Sequence, residues 1–111
     1  MSNASTLFKS ALVWDQLFPA TEYCGSVEAH QGMLERMRVC GYNAVSLTVA
    51  YDPEDTMTAL NRIATWRRFL APNPDKFQFL LKADDGPAAQ AEGKLAVGFH
   101  FQGSTPFGRD L

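Results

Sequence analysis

The chain has 111 residues, of which 46% are hydrophobic and 20% charged, and this composition excludes a disordered protein. Its net charge of -2 provides no basic surface, so we expect no nucleic-acid partner. No apolar run approaches the ~20 residues of a membrane span, and no secretory signal begins the chain. These features predict a cytoplasmic protein without a membrane partner, in which Cys24 and Cys40 are reduced because they lack metal-type spacing.

Residues 1–10 are mostly small and polar, and they include the tag-like run Ser2-Asn3-Ala4. We expect this segment to be disordered or tag-like and to lie outside the fold. The folded domain is then expected over residues 11–111.

The first predicted strand covers residues 11–15, and residues 16–19 continue into a loop because Pro19 has no N–H to give to a ladder. This places Asp15 at the carboxyl end of the strand. A carboxylate at that point can be functional or can accept hydrogen bonds from the backbone of the following loop. The sequence leaves both readings open.

A helix is predicted next, with Ser26 as its N-cap and Gly41 at the position after its last residue. We interpret the histidine of its apolar stripe as a packing residue without chemistry, since no other metal ligand lies nearby in the sequence. The stripe has helical spacing and contains Val27, His30, Leu34 and Met37.

Residues 44–50 alternate like a buried strand, with large apolar side chains on one face and small or polar ones on the other. Thr48 belongs to the second set. The large side chains are Val45, Leu47 and Val49, and the small or polar ones are Ala44, Ser46, Thr48 and Ala50.

Asp52 and Pro53 then predict the start of a long helix, as N-cap and first helical residue. Its arginines are expected on the solvated side, whereas its core face is expected to contain other residues. The arginines are Arg62, Arg67 and Arg68, and the expected core residues are Met57, Leu60, Ile63, Ala64 and Leu70.

The rest of the chain predicts a strand over residues 77–82, at an edge of the sheet or as an embellishment, then a short helix over residues 85–92 that ends at Gly93, and a final strand. Residues 103–111 are expected to form a loop and the opening of another helix. In the final strand, Leu95, Val97, Phe99 and Phe101 alternate with Ala96, Gly98, His100 and Gln102.

Alternation of strands and helices predicts an α/β fold with parallel strands. Large side chains then face outer helices and small ones face a barrel axis, so we expect a partial (β/α)8 TIM barrel of about three β/α units. The alternative is a self-contained, small open α/β sheet. Because barrel chemistry gathers at the carboxyl ends of strands, the candidate site consists of Asp15, Thr48, His100 and Gln102.

Three segments together resemble the amino-terminal third of the renal (membrane) dipeptidases, which are zinc-dependent enzymes with a (β/α)8 barrel. The most specific is residues 88–103, which looks like that family's helix, Gly-Lys, apolar strand and Glu-Gly. Residues 12–15 look like its first strand, and residues 41–50 like its second. The resemblance implies that residues 11–111 form the amino-terminal part of a metallo-dipeptidase-like barrel.

The resemblance also implies where zinc ligands would stand. In the family, an Asp-x-His-x-Asp pattern supplies a His and an Asp, and a Glu at the end of the third strand bridges two zinc ions. Here Leu17, Pro19 and Gln102 occupy those positions, and none offers the donor that zinc requires. We therefore expect no metal site and no cofactor in this chain, and we expect His100 to hydrogen-bond Gln102, a ligand or water.

Three functions remain open. The chain can be a member or fragment of the dipeptidase-like metallopeptidases, with dipeptide hydrolysis in the parent fold and none in this chain alone. It can instead be a non-catalytic barrel remnant that binds a small molecule or dipeptide. It can also be an assembly protein, because exposed strand edges favour self-association and predict that it is not a monomer.

Overall fold

The computed structural model describes residues 3–108. The helix predicted to open within residues 103–111 therefore lies partly outside the described residues. None of the described helices is long and apolar enough to cross a membrane. The elements in chain order are α1 (Asn3–Ser10), β1 (Trp14–Pro19), α2 (Val27–Val39), β2 (Ala44–Tyr51), α3 (Thr56–Leu70), β3 (Phe77–Phe79), α4 (Asp85–Glu92), β4 (Leu95–Gln102) and a 3₁₀ turn (Thr105–Phe107).

The four strands form one parallel sheet in the order β1-β2-β4-β3. The long strands β2 and β4 lie in the centre, and the three-residue β3 lies at one edge, which is one of the two places that the sequence leaves open for this segment. The α/β class, the parallel pairing and the alternation with helices are therefore confirmed, and the architecture is that of a partial (β/α)8 barrel.

The main core lies between the sheet and the helices α2 and α3, on the face that carries the large side chains of β2 and β4. Trp66 of α3 and Leu34 of α2 are fully enclosed there. This confirms the predicted parity for residues 44–48 and 95–100, since their large side chains share one face of the sheet. Beyond Thr48 the register shifts, and Ala50 is paired with Phe101, a residue predicted on the other face. The strand residues of this core are Val45, Leu47, Val49, Leu95 and Val97.

Helix α4 covers part of the opposite face of the sheet. Ala89 of α4 packs against Ala44 and Ala96, and Leu80 covers the same cluster. Small side chains on both sides allow the helix backbone to approach the sheet closely. Helix α4 therefore lies on the inner face of the sheet, whereas α2 and α3 lie on the outer face.

Helix α2 is built as the sequence predicted. The Ser26 hydroxyl accepts a hydrogen bond from the N–H of Ala29 at 3.1 Å, and Gly41 follows the helix with φ of 94°. His30 is buried, and its ring packs edge-on against Phe18 with 5.7 Å between centroids. The packing interpretation of this histidine is therefore the one that the geometry supports.

Helix α3 begins at Thr56, three residues after Pro53, so the predicted N-cap is wrong. Asp55 is the N-cap and accepts from the N–H of Thr58 at 2.8 Å. Asp52 instead lies in the preceding turn, where its carboxylate accepts from the N–H of Thr105 at 2.8 Å. Asp52 and Asp55 are both residue types that cap helices well. Asp52 is bonded to Thr105, which is distant in the chain, and Asp55 caps the helix.

The predicted core face of α3 is also wrong in part. Met57 and Leu60 are 62% and 52% exposed, and Ala64 is exposed as well. The helix turns another face to the sheet because Trp66 buries more apolar surface than either of these side chains can. Ile63 packs at the margin of that face, and its buried residues are Ala59, Trp66 and Leu70.

Residues 3–10, which belong to the segment expected to be disordered or tag-like, form helix α1, and none of its residues is buried. The Phe8 ring lies edge-on to the ring of Tyr42, with 6.4 Å between centroids. This contact brings α1 against the segment between α2 and β2, and aromatic pairs of this geometry are stabilising.

Candidate functional site

Thr48 and His100 form the centre of the candidate site. They are register partners on β2 and β4, and the Thr48 Oγ1 lies 2.7 Å from the His100 Nε2. Thr48 is fully buried. Both side chains lie on the inward face of the sheet, as the sequence predicted. The structure therefore joins two of the four predicted site residues by a direct hydrogen bond.

The second ring nitrogen of His100 has a different environment. Its Nδ1 is buried and has no hydrogen-bond partner among residues 3–108. Burial lowers the pKa of His100 below its ordinary value, because the charged ring would lose hydration that nothing replaces. His100 is therefore a neutral imidazole at neutral pH and offers one donor and one acceptor.

Asp15 is not at the carboxyl end of its strand, and the prediction for this residue is wrong. It is the second residue of β1, in register with Val45, whereas Pro19 at the end of β1 is in register with Thr48. Three residues of strand separate the two levels, which is about 10 Å. The Asp15 carboxylate accepts from the N–H of Leu17 at 3.0 Å, so the backbone role is the one observed.

The longer extent of β1 explains this difference. Pro19 ends an edge strand, where a residue without an N–H is tolerated. The register also shifts between Asp15 and Phe18, which adds a residue on the β1 side. Neither feature can be seen in the local hydrophobic pattern.

Gln102 ends β4 opposite Tyr51, and it is exposed. Its backbone carbonyl accepts from the N–H of Asp52 at 3.3 Å. Among the side-chain hydrogen bonds of the described residues, none joins Gln102 to His100, and the Thr48 hydroxyl takes the place predicted for that amide. Gln102 thus lies at the end of β4, and no side-chain hydrogen bond among residues 3–108 joins it to the Thr48–His100 pair.

An ion-pair network near the same end of the sheet was missed from the sequence. Arg62 was expected on the solvated side of α3, but its side chain is only 10% exposed. It donates to both carboxylate oxygens of Glu54 at 2.7 Å, to the carbonyl of Val49 at 3.0 Å and to Glu22. These bonds hold the pKa of Glu54 below its ordinary value.

The position of Arg62 on α3 is the sequence feature that indicates its partial burial. It is adjacent to Ile63 and one turn from Trp66, so it lies at the margin of the buried face. The network fixes the turn after β2 to α3, and its one arginine is shared by two carboxylates. It supports the strand ends and is not itself a candidate catalytic group.

The residues present do not fit the zinc site that the resembled family implies. Leu17 and Pro19 offer no side-chain donor, Gln102 is a neutral amide, and the Nε2 of His100 faces Thr48. Within residues 3–108, no group of three or more His, Cys, Asp or Glu side chains is placed to hold a metal ion. Catalytic zinc normally takes three protein ligands, and this donor set does not supply them.

Comparison with known proteins gives a structural match. No protein-family model and no curated protein matches the chain. Among solved structures, an amidohydrolase from Pseudomonas aeruginosa matches with a TM-score of 0.75 and 21% sequence identity, over 93% of this chain and 29% of that one. The two chains share a fold. This chain therefore spans less than a third of the amidohydrolase that it matches.

Proposed function

We propose that this chain is part of a renal-dipeptidase-like amidohydrolase barrel that has lost the metal chemistry of the enzymes it resembles. Two findings support the barrel: the fold shared with an amidohydrolase, and the resemblance of residues 88–103 to the dipeptidase segment. The observation that supports the loss of metal chemistry is the residue type at three positions: Leu17, Pro19 and Gln102 stand where the resemblance implies zinc ligands.

The chemical argument concerns what a metallopeptidase needs. Zinc activates a water molecule and polarises the peptide carbonyl, and it does so only when protein ligands hold it with an open position. His100 is the single imidazole at these strand ends in the described residues, and its Nε2 is already bonded to Thr48. The chain by itself is therefore non-catalytic towards dipeptides.

A small-molecule or dipeptide ligand is the second candidate, favoured by the polar groups that remain at the strand ends. Gln102 exposes a neutral amide there, and His100 is neutral as well. Uncharged donors and acceptors suit hydrogen bonding to a peptide or amide group better than to an ion. Addition of an uncharged, blocked dipeptide should then shift the NMR signals of His100 and Gln102, and unchanged signals would reject this candidate.

Hydrolysis of dipeptides tests the proposal. The purified 111-residue chain is freed of metal with a chelator, reloaded with zinc and incubated with a panel of dipeptides. We expect no hydrolysis above that of the His100→Ala variant treated in the same way. Zinc-dependent hydrolysis that chelation abolishes and that His100→Ala reduces would overturn the proposal.

A further inference from the structure

Residues 103–107, which we call the β4 loop, follow the end of β4 and pack against the start of α3. Pro106 is fully buried there, and its carbonyl accepts a hydrogen bond from the Thr56 hydroxyl. The Phe107 ring packs edge-on against Phe101 of β4, with 5.0 Å between centroids. The β4 loop is therefore held by contacts at its far end, directly after the exposed Gln102 of the candidate site.

Asp52 holds the near end of the β4 loop with two of its groups. Its backbone N–H donates to the carbonyl of Gln102 at 3.3 Å, and its carboxylate accepts from the N–H of Thr105 at 2.8 Å. Hydrogen bonding by the hydroxyl and the N–H of Thr105 holds the pKa of Asp52 below its ordinary value. One residue in the turn after β2 thus engages the chain on both sides of Gly103 and Ser104.

Gly103 is fitted to the Asp52 carboxylate. Its φ of 129° lies in the region that glycine favours, and a Cβ at this position would come closer than 3.0 Å to the carboxyl carbon and to both carboxylate oxygens. Among the glycines of residues 3–108, no other has a neighbour that close to an added Cβ. The carboxylate therefore occupies a fixed place against the backbone of the β4 loop.

Asp55 offers a comparison within the same turn. It is also exposed and accepts one backbone N–H at 2.8 Å, but the donor is Thr58, in the first turn of α3. The donor to Asp52 is 53 residues away in the chain. Of these two carboxylates, Asp52 alone joins the turn after β2 to the chain after β4.

We propose that Asp52 is a positioning residue of the candidate site, which fixes the β4 loop and with it the direction in which Gln102 leaves the end of β4. Gln102 then has fewer backbone conformations, because its own carbonyl and the loop that follows it are both held. A group that is held in this way loses little entropy when it binds a ligand. The part of this inference that concerns a ligand rests on the small-molecule site proposed above.

Amide hydrogen exchange tests whether Asp52 holds the loop. In Asp52→Ala, the exchange of the Thr105 amide, measured relative to the core amide of Val97, should accelerate about tenfold because a charged acceptor is lost. The ratio removes any general loss of stability. Asp55→Ala is the matched control and should leave the ratio unchanged, whereas Asp52→Asn keeps one side-chain oxygen and should retain part of the protection.

Three results of this measurement would overturn the proposal. They are an unprotected Thr105 amide in the wild-type protein, an unchanged ratio in Asp52→Ala, and an equal acceleration in Asp55→Ala.

Titration with the uncharged, blocked dipeptide tests the link to the site. In the wild-type protein the NMR signals of Gln102 and His100 should shift, in Asp52→Ala the shift of Gln102 should become smaller, and in Asp55→Ala both shifts should remain. A Gln102 shift of the same size in Asp52→Ala and the wild-type protein would overturn the positioning role. If the wild-type protein shows no shift, the proposed ligand is rejected, and the exchange of Thr105 still decides whether Asp52 holds the β4 loop.

Discussion

The Thr48 hydroxyl and the His100 ring join the two central strands through a hydrogen bond of 2.7 Å on the inward face of the sheet. The two residues are 52 positions apart in the chain and are register partners, so the bond depends on the pairing of β2 with β4. The bond engages the Nε2 of His100. This nitrogen is therefore not free to bind a ligand at the strand ends.

The contribution of this bond to stability can be measured by removing the hydroxyl. Thr48→Val keeps the shape of the side chain and leaves the His100 ring without its partner, which should lower the free energy of unfolding by about 1–3 kcal/mol. Thr48→Ser keeps the hydroxyl and should restore most of that loss. Urea unfolding measures both, and equal stability of Thr48→Val and the wild-type protein would show that the bond contributes nothing.

Stability should depend on pH through His100. Its pKa is lowered by burial in the folded state, so the unfolded chain binds a proton more readily than the folded one. The contribution of the neutral ring is complete above the ordinary value of 6.5 and is lost as the pH falls below it. His100→Gln should flatten the dependence just below pH 6.5, where the histidine of the unfolded chain begins to bind its proton. An unchanged slope in that variant would contradict the burial of the ring.

Much of the sheet can be predicted from the sequence because strand alternation is a local property. The parity of Val45 and Val97 follows from their immediate neighbours, and the structure confirms it. The inward position of Thr48 and His100 follows from the same rule. Their hydrogen bond does not, because it also requires the register between two strands that alternation leaves undetermined.

The errors arose where a distant contact decided between local alternatives. Asp52 and Asp55 are equally good helix caps by type, and the bond from Thr105 to Asp52 leaves Asp55 to begin the helix. The local pattern predicts a loop from residue 16 and therefore a strand end at Asp15, whereas β1 continues to Pro19. The folding of α4 onto the inner face likewise depends on Ala89, whose small size signals no direction.

The corrected face of α3 makes a prediction about two apolar side chains. Trp66→Ala should lower the free energy of unfolding by about 3–5 kcal/mol, because a fully enclosed ring leaves a large cavity. Leu60→Ala should change it by less than about 0.5 kcal/mol, since this side chain is mainly solvated. Thermal or urea unfolding compares them, and a larger effect at Leu60 would restore the face predicted from the sequence.

The Arg62 network predicts that its members contribute unequally to the free energy of unfolding. Arg62→Leu leaves the enclosed Glu54 carboxylate without its cation and should lower the free energy of unfolding by about 3 kcal/mol. Glu22→Gln should cost less than about 1 kcal/mol, because the Glu22 side chain is 65% exposed. Urea unfolding at pH 7 measures both variants. Equal losses would show that the pair with Glu54 is no better shielded from water than the pair with Glu22.

Equilibrium dialysis of the metal-free chain against micromolar zinc measures most directly whether the strand ends bind zinc. With Leu17, Pro19 and Gln102 at the ligand positions of the resembled family, we expect far less than one zinc ion per chain, and the same content in His100→Ala. One or two zinc ions retained per wild-type chain, and lost in His100→Ala, would show that the barrel has kept a metal site and would contradict the loss of metal chemistry.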